Sequence, residues 1–508
     1  MGYAKQNKAF IKNKNQFFTQ LHAKHNPHLS TTIEETGELA KTIDYRFLLQ
    51  NQLTLEAEFT QMFAVLKKQK EKNNEVFWLY CYYSASLLET FHKSYSQKAK
   101  EQHYQQLKEQ IKERLVQGPQ KEAEKRFIDS LQNSFLEGFR NLMKAPFKPS
   151  LLRDYVAYSN LCRLYWVFCR LTITNGLALA NALQFIDKID AVLGTHTDVD
   201  KIISIFQAPN GVLNYFSVGL FLARFIIDAG LLIRHTFFPS DAEKNSQATA
   251  FERFKYELYK RHCNFANDLV WATVNFLTNF NHITNIPGPI AGAMTAVFLG
   301  FDVSMLLYKL HLAKQEYLVK KAQYLQEIKN YTNATSSMEL SAEERLQHMA
   351  MLNQQLTELE INWQTKKATF CFAAAAAALL MFGFSAALFF SPPGIIVASF
   401  FICHLGIAMY FSTAAYGKYT EKSLYLQHAE LSDENLVVAR KEFEIARNDF
   451  IFTMVKNTLI PMILITTFAI CWPAAVALTA VYLGYELYHA LDQHNGNEEV
   501  KQLAFAAC

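Results

Sequence analysis

Charged residues stop abruptly in three places along the chain. Fifty consecutive residues between Lys367 and Lys418 contain no Asp, Glu, Lys or Arg, as do 33 between Asp268 and Asp302 and 29 between Lys456 and Glu486. A helix needs about 20 apolar residues to cross a bilayer hydrocarbon core, so the longest gap has room for two spans. It divides as Ala368–Phe390, a Ser391-Pro392-Pro393-Gly394 break and Ile395–Ala415. Proline lacks the N–H that continues a helix and glycine permits reversal, so the break predicts a tight helical hairpin. The last gap reads as Phe450–Cys471, a Trp472-Pro473 break and Ala474–Leu487. Pro461 within it is expected to kink its helix, which membrane helices tolerate. The first gap opens on a more polar half, Asp268–Phe280. It then breaks at Asn285-Ile286-Pro287-Gly288-Pro289 and continues as an apolar helix from Ile290.

Aligned on their breaks, these segments predict an internal repeat. Thr295-Ala296-Val297-Phe298-Leu299-Gly300-Phe301-Asp302 matches Thr479-Ala480-Val481-Tyr482-Leu483-Gly484-Tyr485-Glu486, and Gly300 and Gly484 each fall 11 residues after a proline, Pro289 and Pro473. Gly406 lies 13 residues after Pro393, a looser match, and Pro209-Asn210-Gly211 followed by Val212–Ile233 is a weaker relative. A glycine at such a position would let a neighbouring helix approach closely.

Between the gaps the chain is charged and helix-periodic. A helix is expected to run from Leu310 to the turn-rich stretch Asn330–Ser337 and to restart near Ser341, where Glu343 and Glu344 suit its N-terminal dipole. Leu346, Met349, Leu352, Leu356, Leu359 and Trp363 then recur every three or four residues, a coiled-coil-like stripe leading straight into Ala368. Leu436, Ala439, Phe443, Ala446 and Phe450 repeat the pattern before the last gap. From Pro289 to Asn330 alone such a helix extends roughly 60 Å, about twice a hydrocarbon core.

The predicted fold is therefore all-α: a multi-pass helical membrane protein whose proline-turn hairpins extend into a cytosolic helical stalk or bundle. Its expected organisation is a soluble helical domain over 1–145, amphipathic connecting helices over 146–205 and a first membrane hairpin region over 206–310. A cytosolic coiled-coil-like hairpin over 311–367 follows, then a second membrane hairpin over 368–415, cytosolic helices over 416–449, a third membrane hairpin over 450–490 and a polar tail over 491–508. Lys309, Lys314, Lys366, Lys367, Lys418, Arg447 and Lys456 edge the apolar segments, whereas the turns at Pro287, Pro289, Pro392, Pro393 and Pro473 carry no Lys or Arg. By the positive-inside rule the stalk faces a cytosol. Met1–Asn15 is Lys- and Asn-rich with no apolar core to follow, so insertion is expected to rely on the internal spans.

Composition narrows the function. Half the residues are hydrophobic and 19% are charged, which excludes disorder, and a net +4 that no segment concentrates gives no nucleic-acid footprint. Eight cysteines form no CxxC pair, and Cys371, Cys403 and Cys471 lie in apolar runs, so a disulfide-stapled fold is not expected. No phosphate-binding glycine loop, nucleophile elbow or HExxH occurs, so no catalytic, cofactor or metal residues are assigned. Ionisable groups at membrane depth are costly and mark function by default. They are Arg224 and Asp228, placed i, i+4 to pair on one helix face, Asp302 halfway along its helix, and His404 inside the longest uncharged run. The alternative role for all four is structural, as self-neutralised or helix-bridging groups.

The tail Asn497-Glu498-Glu499-Val500-Lys501-Gln502-Leu503-Ala504-Phe505-Ala506-Ala507-Cys508 has two acids followed by an apolar end. With the Lys-, Asn- and Phe-rich style and the coiled-coil-plus-hairpin organisation, it resembles the integral-membrane coiled-coil effectors that intracellular bacteria export through a Dot/Icm-type type IV secretion system. The resemblance implies a non-enzymatic protein that inserts in a host organelle membrane and presents a cytosolic helical interaction surface. Expected partners are the lipid bilayer and, through the cytosolic helices, a further copy of the chain or a host protein; no nucleic acid and no cofactor is implied. If the chain is not exported, the bacterial inner membrane is expected instead. The rival reading is an ion or small-solute transporter or channel built from the hairpin repeats, with a midplane site at the ionisable residues. A membrane-remodelling enzyme ranks last, because residues 1–205 offer no recognisable nucleophile–base set.

Overall fold

The computed structural model describes residues 3–22, 29–68, 74–95, 97–117, 181, 184–194, 196–201, 210–245, 248–333, 340–389, 393–432 and 436–470. Among these the regular structure is entirely helical. Pro392, Pro473, Gly484, the connecting segment except 181, 184–194 and 196–201, the second half of the third hairpin region and the tail lie outside the described residues. The chain forms two compact units. The first comprises Met1–Glu124, Leu231–Tyr259 and Leu312–Trp363, and the second Lys125–Gly230, Lys260–His311 and Gln364–Cys508. The N-terminal helices thus share their unit with two later segments, Leu231–Tyr259 and Leu312–Trp363, which no local sequence pattern groups with them.

In the first unit, helices α1 (Tyr3–His22), α2 (Leu29–Lys41), α3 (Tyr45–Lys68), α4 (Glu75–Ser94) and α5 (Lys98–Gln117) gather around α4. That helix is apolar or aromatic nearly all round, from Phe77 to Phe91, and a helix without a polar face must be enclosed. Rings interlock about it: Phe17 stacks on Tyr83 at 4.6 Å, and Phe18 meets Phe77 edge-on at 6.0 Å. Ala248 and Met351 belong to the same core, which brings in the two later segments.

Four more helices matter here: α7 (Asn210–Phe237), α9 (Ala250–Asn279), α11 (Gly288–Thr332) and α12 (Ala342–Phe389), with short α6 (Phe185–Leu193) ahead of them and short α8 (Asp241–Asn245) and α10 (Asn281–Thr284) between them. The unit boundary falls inside each of these four long helices. Asn285, which follows α10, has φ 54°, a left-handed conformation that asparagine tolerates, and Pro289 sits at the start of α11, where its missing N–H costs nothing. Within the first unit Tyr324 and Tyr331 of α11 pack with Leu352 and Leu359 of α12, joined at the edge by Met349 and Leu356. Trp363 stacks on Tyr317 at 5.2 Å. Leu346, the first member of the expected stripe, is instead exposed.

In the second unit, α12 continues and is followed by α13 (Pro393–Phe411), α14 (Thr413–Ser432) and α15 (Leu436–Ile470). Helix α15 runs through Pro461. Glycines set the register of the first pairs. A Cβ on Gly383 of α12 would lie 2.7 Å from the Cys403 sulfur and 3.0 Å from the Ser399 carbonyl oxygen, and one on Gly406 would lie 3.0 Å from the Ala376 carbonyl oxygen. Only helices packed backbone to backbone leave so little room, and the contacts run antiparallel. One level further, Gly417 of α14 lies against Thr369, and Phe372 stacks on Tyr416 at 4.1 Å. Among the described residues two helices, spanning Ala293–Thr332 and Ala342–Gly383, are long and apolar enough to cross a membrane.

Candidate functional site

Two polar assemblies stand out, one in each unit. In the second unit α7 and α9 lie antiparallel, with Phe225 against Phe265 at 5.5 Å and Phe221 against Trp271 at 6.4 Å. Beside these ring pairs the charges cross: Arg224 reaches Asp268 at 3.2 Å between them, and Arg261 reaches Asp228 at 3.4 Å beyond the Phe225–Phe265 pair. Arg224 and Asp228 thus each have a partner on α9, in two reciprocal cross-helix ion pairs. Both carboxylates have no solvent exposure, and a carboxylate removed from water requires such a partner. Asp302 on α11 accepts a hydrogen bond from the Trp271 indole at 2.8 Å, and His262 of α9 approaches the Tyr308 hydroxyl at 3.3 Å. Helix α9 therefore serves both neighbours. Leu222 and Ile226 on α7 and Leu269 and Phe276 on α9 are exposed apolar side chains.

His404 lies elsewhere in this unit. Its ring is 1% exposed and its Nε2 faces the Thr458 carbonyl oxygen, bridging α13 to α15. The Asn457 amide donates to the Ser412 hydroxyl at 3.1 Å, close to the same helix pair. Of the repeat glycines, Gly406 makes the close approach given above, while among the described residues a Cβ on Gly300 would meet only the Met381 sulfur at 3.4 Å. Gly300 thus leaves room that Gly406 does not.

The assembly in the first unit is one that no local sequence pattern announces. Lys14 of α1 donates to Glu58 of α3 at 2.7 Å and to Glu327 of α11 at 2.9 Å, and Lys320 of α11 also donates to Glu58. The Tyr324 hydroxyl lies 3.1 Å from Glu58 and 2.7 Å from the Gln61 side-chain oxygen, and Gln355 of α12 donates to Glu58 at 3.3 Å. Every charge here is at least 92% buried. Burial pushes the Glu58 carboxyl up, but the ammonium groups of Lys14 and Lys320 outweigh it and hold the carboxyl well below its usual range. Burial likewise opposes the charge on Lys14, and Glu327 and Glu58 overcome it, raising its pKa. Two acids and two bases close on themselves, so the cluster ties α1, α3, α11 and α12 together without net charge. The only sequence sign of Lys14 is that it falls on the same α1 face as Phe10, Phe17 and Phe18.

A third arrangement bears on catalysis. His235 stacks on Tyr95 at 3.9 Å and its Nδ1 lies 2.9 Å from Glu243, an imidazole–carboxylate pair of the kind that activates a nucleophile. The nearby Ser240 hydroxyl, however, donates to the Ser94 carbonyl, and Glu243 accepts the Ser240 backbone N–H. Arg253 donates to the carbonyls of His235 and Thr236, at 2.9 and 3.0 Å. This geometry fastens the end of α7 to α4 and α9; it does not aim a hydroxyl at the imidazole. Among the described residues no three His, Cys, Asp or Glu side chains come together to hold a metal ion.

Comparison with protein-family models, curated proteins and solved structures yields no match, so the residues alone carry the functional reading.

Proposed function

We propose that the chain is a non-enzymatic, multi-pass membrane protein that inserts as helical hairpins and presents a helical interaction surface to a cytosol. The observation that carries this is the outward-facing apolar surface of α11. Its most apolar stretch is only 6% buried, whereas a soluble core helix of that composition would be enclosed. Val297 and Ile290 on α11, Phe382 on α12, Phe401 and Leu405 on α13 and Val455 on α15 are likewise exposed. Apolar surface of that extent needs an apolar medium, and close glycine contacts with bridging polar groups are how helices associate in lipid. The charged first unit supplies the interaction surface, open to a second copy or a host protein.

Export through a Dot/Icm-type system, with insertion in a host organelle membrane, is the setting we propose, on the resemblance of the tail. Two measurements test the reading. Membranes from expressing cells, washed with alkaline carbonate, should retain the full chain; release into the supernatant sinks the membrane assignment. A reporter enzyme fused ahead of the chain should signal in host cytosol during bacterial contact, and the signal should vanish without the last twelve residues. A protein that stays in the bacterial envelope belongs to the inner membrane and is not an effector.

A further inference from the structure

Four cations of the second unit reach solvent at one level of its helices. Gly417 lies against Thr369 and Tyr416 stacks on Phe372, so Lys418 of α14 is level with the turn of α12 that carries Lys366 and Lys367. Tyr419 stacks on Phe450 at 5.5 Å and meets Phe443 at 5.6 Å, so Arg447 of α15 falls at that level too. All four side chains are exposed, and Arg447 also lies 5.9 Å from the centre of the Phe443 ring. The acids within about a turn are Glu421, Glu444 and Asp449, all only partly exposed, and Lys422 is already paired with Glu442 at 2.8 Å. The level therefore keeps an excess of positive charge on its outer surface. Directly beyond it begin the 50 uncharged residues, with Phe382, Phe401, Leu405 and Tyr410 exposed.

We infer that this belt, Lys366, Lys367, Lys418 and Arg447 around the stacked tyrosines, is a seat for the headgroups of anionic glycerophospholipids. The inference rests on the membrane reading and adds to it a lipid class. The chemistry is a phosphodiester with a further negative group. Lysine ammoniums meet it as point charges, the Arg447 guanidinium can meet phosphate oxygens in a bidentate fork, and the acyl chains lie along the exposed apolar side chains next to the belt. Half-buried tyrosines at the boundary suit the interface, where one end of the ring is wet and the other apolar.

The test uses the full chain reconstituted into vesicles of phosphatidylcholine with phosphatidylserine as the minor lipid. The lipids retained by the protein after gentle detergent extraction are compared with those of the vesicle. The parent should be enriched in phosphatidylserine, more at low salt than high, because exposed charges are screened. The combined variant Lys366→Gln, Lys367→Gln, Lys418→Gln, Arg447→Gln should lose that enrichment, on the order of fivefold for each cation removed. Lys366→Arg, Lys367→Arg, Lys418→Arg should keep it, and helix content by circular dichroism should match the parent in both. Equal enrichment in the glutamine variant overturns the belt, as does a carbonate-resistant parent with no preference. A parent stripped by carbonate overturns the membrane reading itself, so the two failures are distinguishable.

Discussion

The two units solve the same problem in opposite ways. In the first unit aromatic side chains fill the interior and four of the charges left inside, Lys14, Glu58, Lys320 and Glu327, close into a cluster reached by four helices. In the second the apolar side chains point outward along much of α7, α9, α11, α12 and α13, while buried charges cross between two facing helices. On the proposed membrane reading, the first suits water outside and the second an apolar surround. Polar groups therefore do different work. They knit several chain segments into one core in the first unit, and they set the register of helix pairs in the second.

The largest effect should come from breaking the first-unit cluster asymmetrically. Glu58→Ala leaves Lys14 and Lys320 buried without their shared carboxylate and should destabilise that unit by about 3–5 kcal/mol. Denaturant unfolding followed by tryptophan fluorescence measures this, since Trp78 is in that core. The combined replacement Lys14→Met, Glu58→Leu, Lys320→Met, Glu327→Gln should cost much less, because it removes both cations along with both carboxylates they serve. A Glu58→Ala loss below about 1 kcal/mol would mean that water reaches the cluster. Acid should act in the same direction. Because the folded Glu58 pKa is depressed, its contribution is complete above the unfolded value near 4.5 and is lost as pH falls through the lower folded value. The Lys14 contribution, from a raised pKa, is complete below 10.5 and fades only above it. First-unit unfolding should therefore grow easier below about pH 4.5, and the Glu58→Ala variant should show a weaker dependence, the remainder coming from carboxylates such as Glu243 whose pKa is also lowered.

In the second unit the comparable break is Arg261→Ala, which takes a cationic partner from the fully buried Asp228. A loss of about 2–4 kcal/mol is expected, read as a fall in thermal unfolding temperature in detergent. Exchanging the charges, Arg261→Asp with Asp228→Arg, should recover part of it. No recovery would show that the surroundings, and not the pair, fix the polarity.

How much of this was legible in the sequence differs between the units for a physical reason. Uncharged runs are local, so the apolar parts of α11, α12, α13 and α15 and the reversal near Pro289 can be found by reading along the chain. The turn at Asn333 and the restart at Ser341 are legible too, since Glu344 and Ser341 cap each other reciprocally. Partners far apart in sequence are not local. Lys14 and Glu327 are 313 positions apart, and nothing near either names the other. Arg224 and Asp228 look like an i, i+4 pair because spacing along one helix is all that a sequence displays. That α9 offers Arg261 and Asp268 seven residues apart on the facing side emerges only when the helices are paired. Gly383 makes a tighter approach than either Gly300 or Gly406, yet it stands outside the repeat pattern and carries no motif.

That glycine gives a sharper contrast of smaller size. A Cβ at 383 would clash with the Cys403 sulfur and with the Ser399 backbone, so Gly383→Ala must push α12 and α13 apart and should cost about 1–3 kcal/mol. A Cβ added at Gly219 or Gly230 of α7 would meet nothing within 4 Å among the described residues, so alanine at either should stabilise by up to about 1 kcal/mol through helix propensity. Opposite signs from the same chemical change, read by thermal unfolding of the three variants, would separate helix faces in contact from faces toward the surround. A neutral Gly383→Ala would mean that the α12–α13 pair is looser than its backbone spacing implies.

The smallest effect is expected at Lys422–Glu442, which joins α14 to α15 at 2.8 Å with both side chains partly exposed. Water screens such a pair and ordering two long side chains offsets most of the attraction, so a double-mutant cycle with alanine should give a coupling of about 0.5 kcal/mol or less. The aromatic ladder beside it, Tyr419 against Phe443 and Phe450, carries the packing of the same two helices. Tyr419→Ala should therefore cost several times more than the loss of the ion pair, about 3 kcal/mol. If the ion pair proved the stronger, α14 and α15 would be held as the first unit is, by charges withdrawn from water, and the contrast between the units would not extend to this end of the chain.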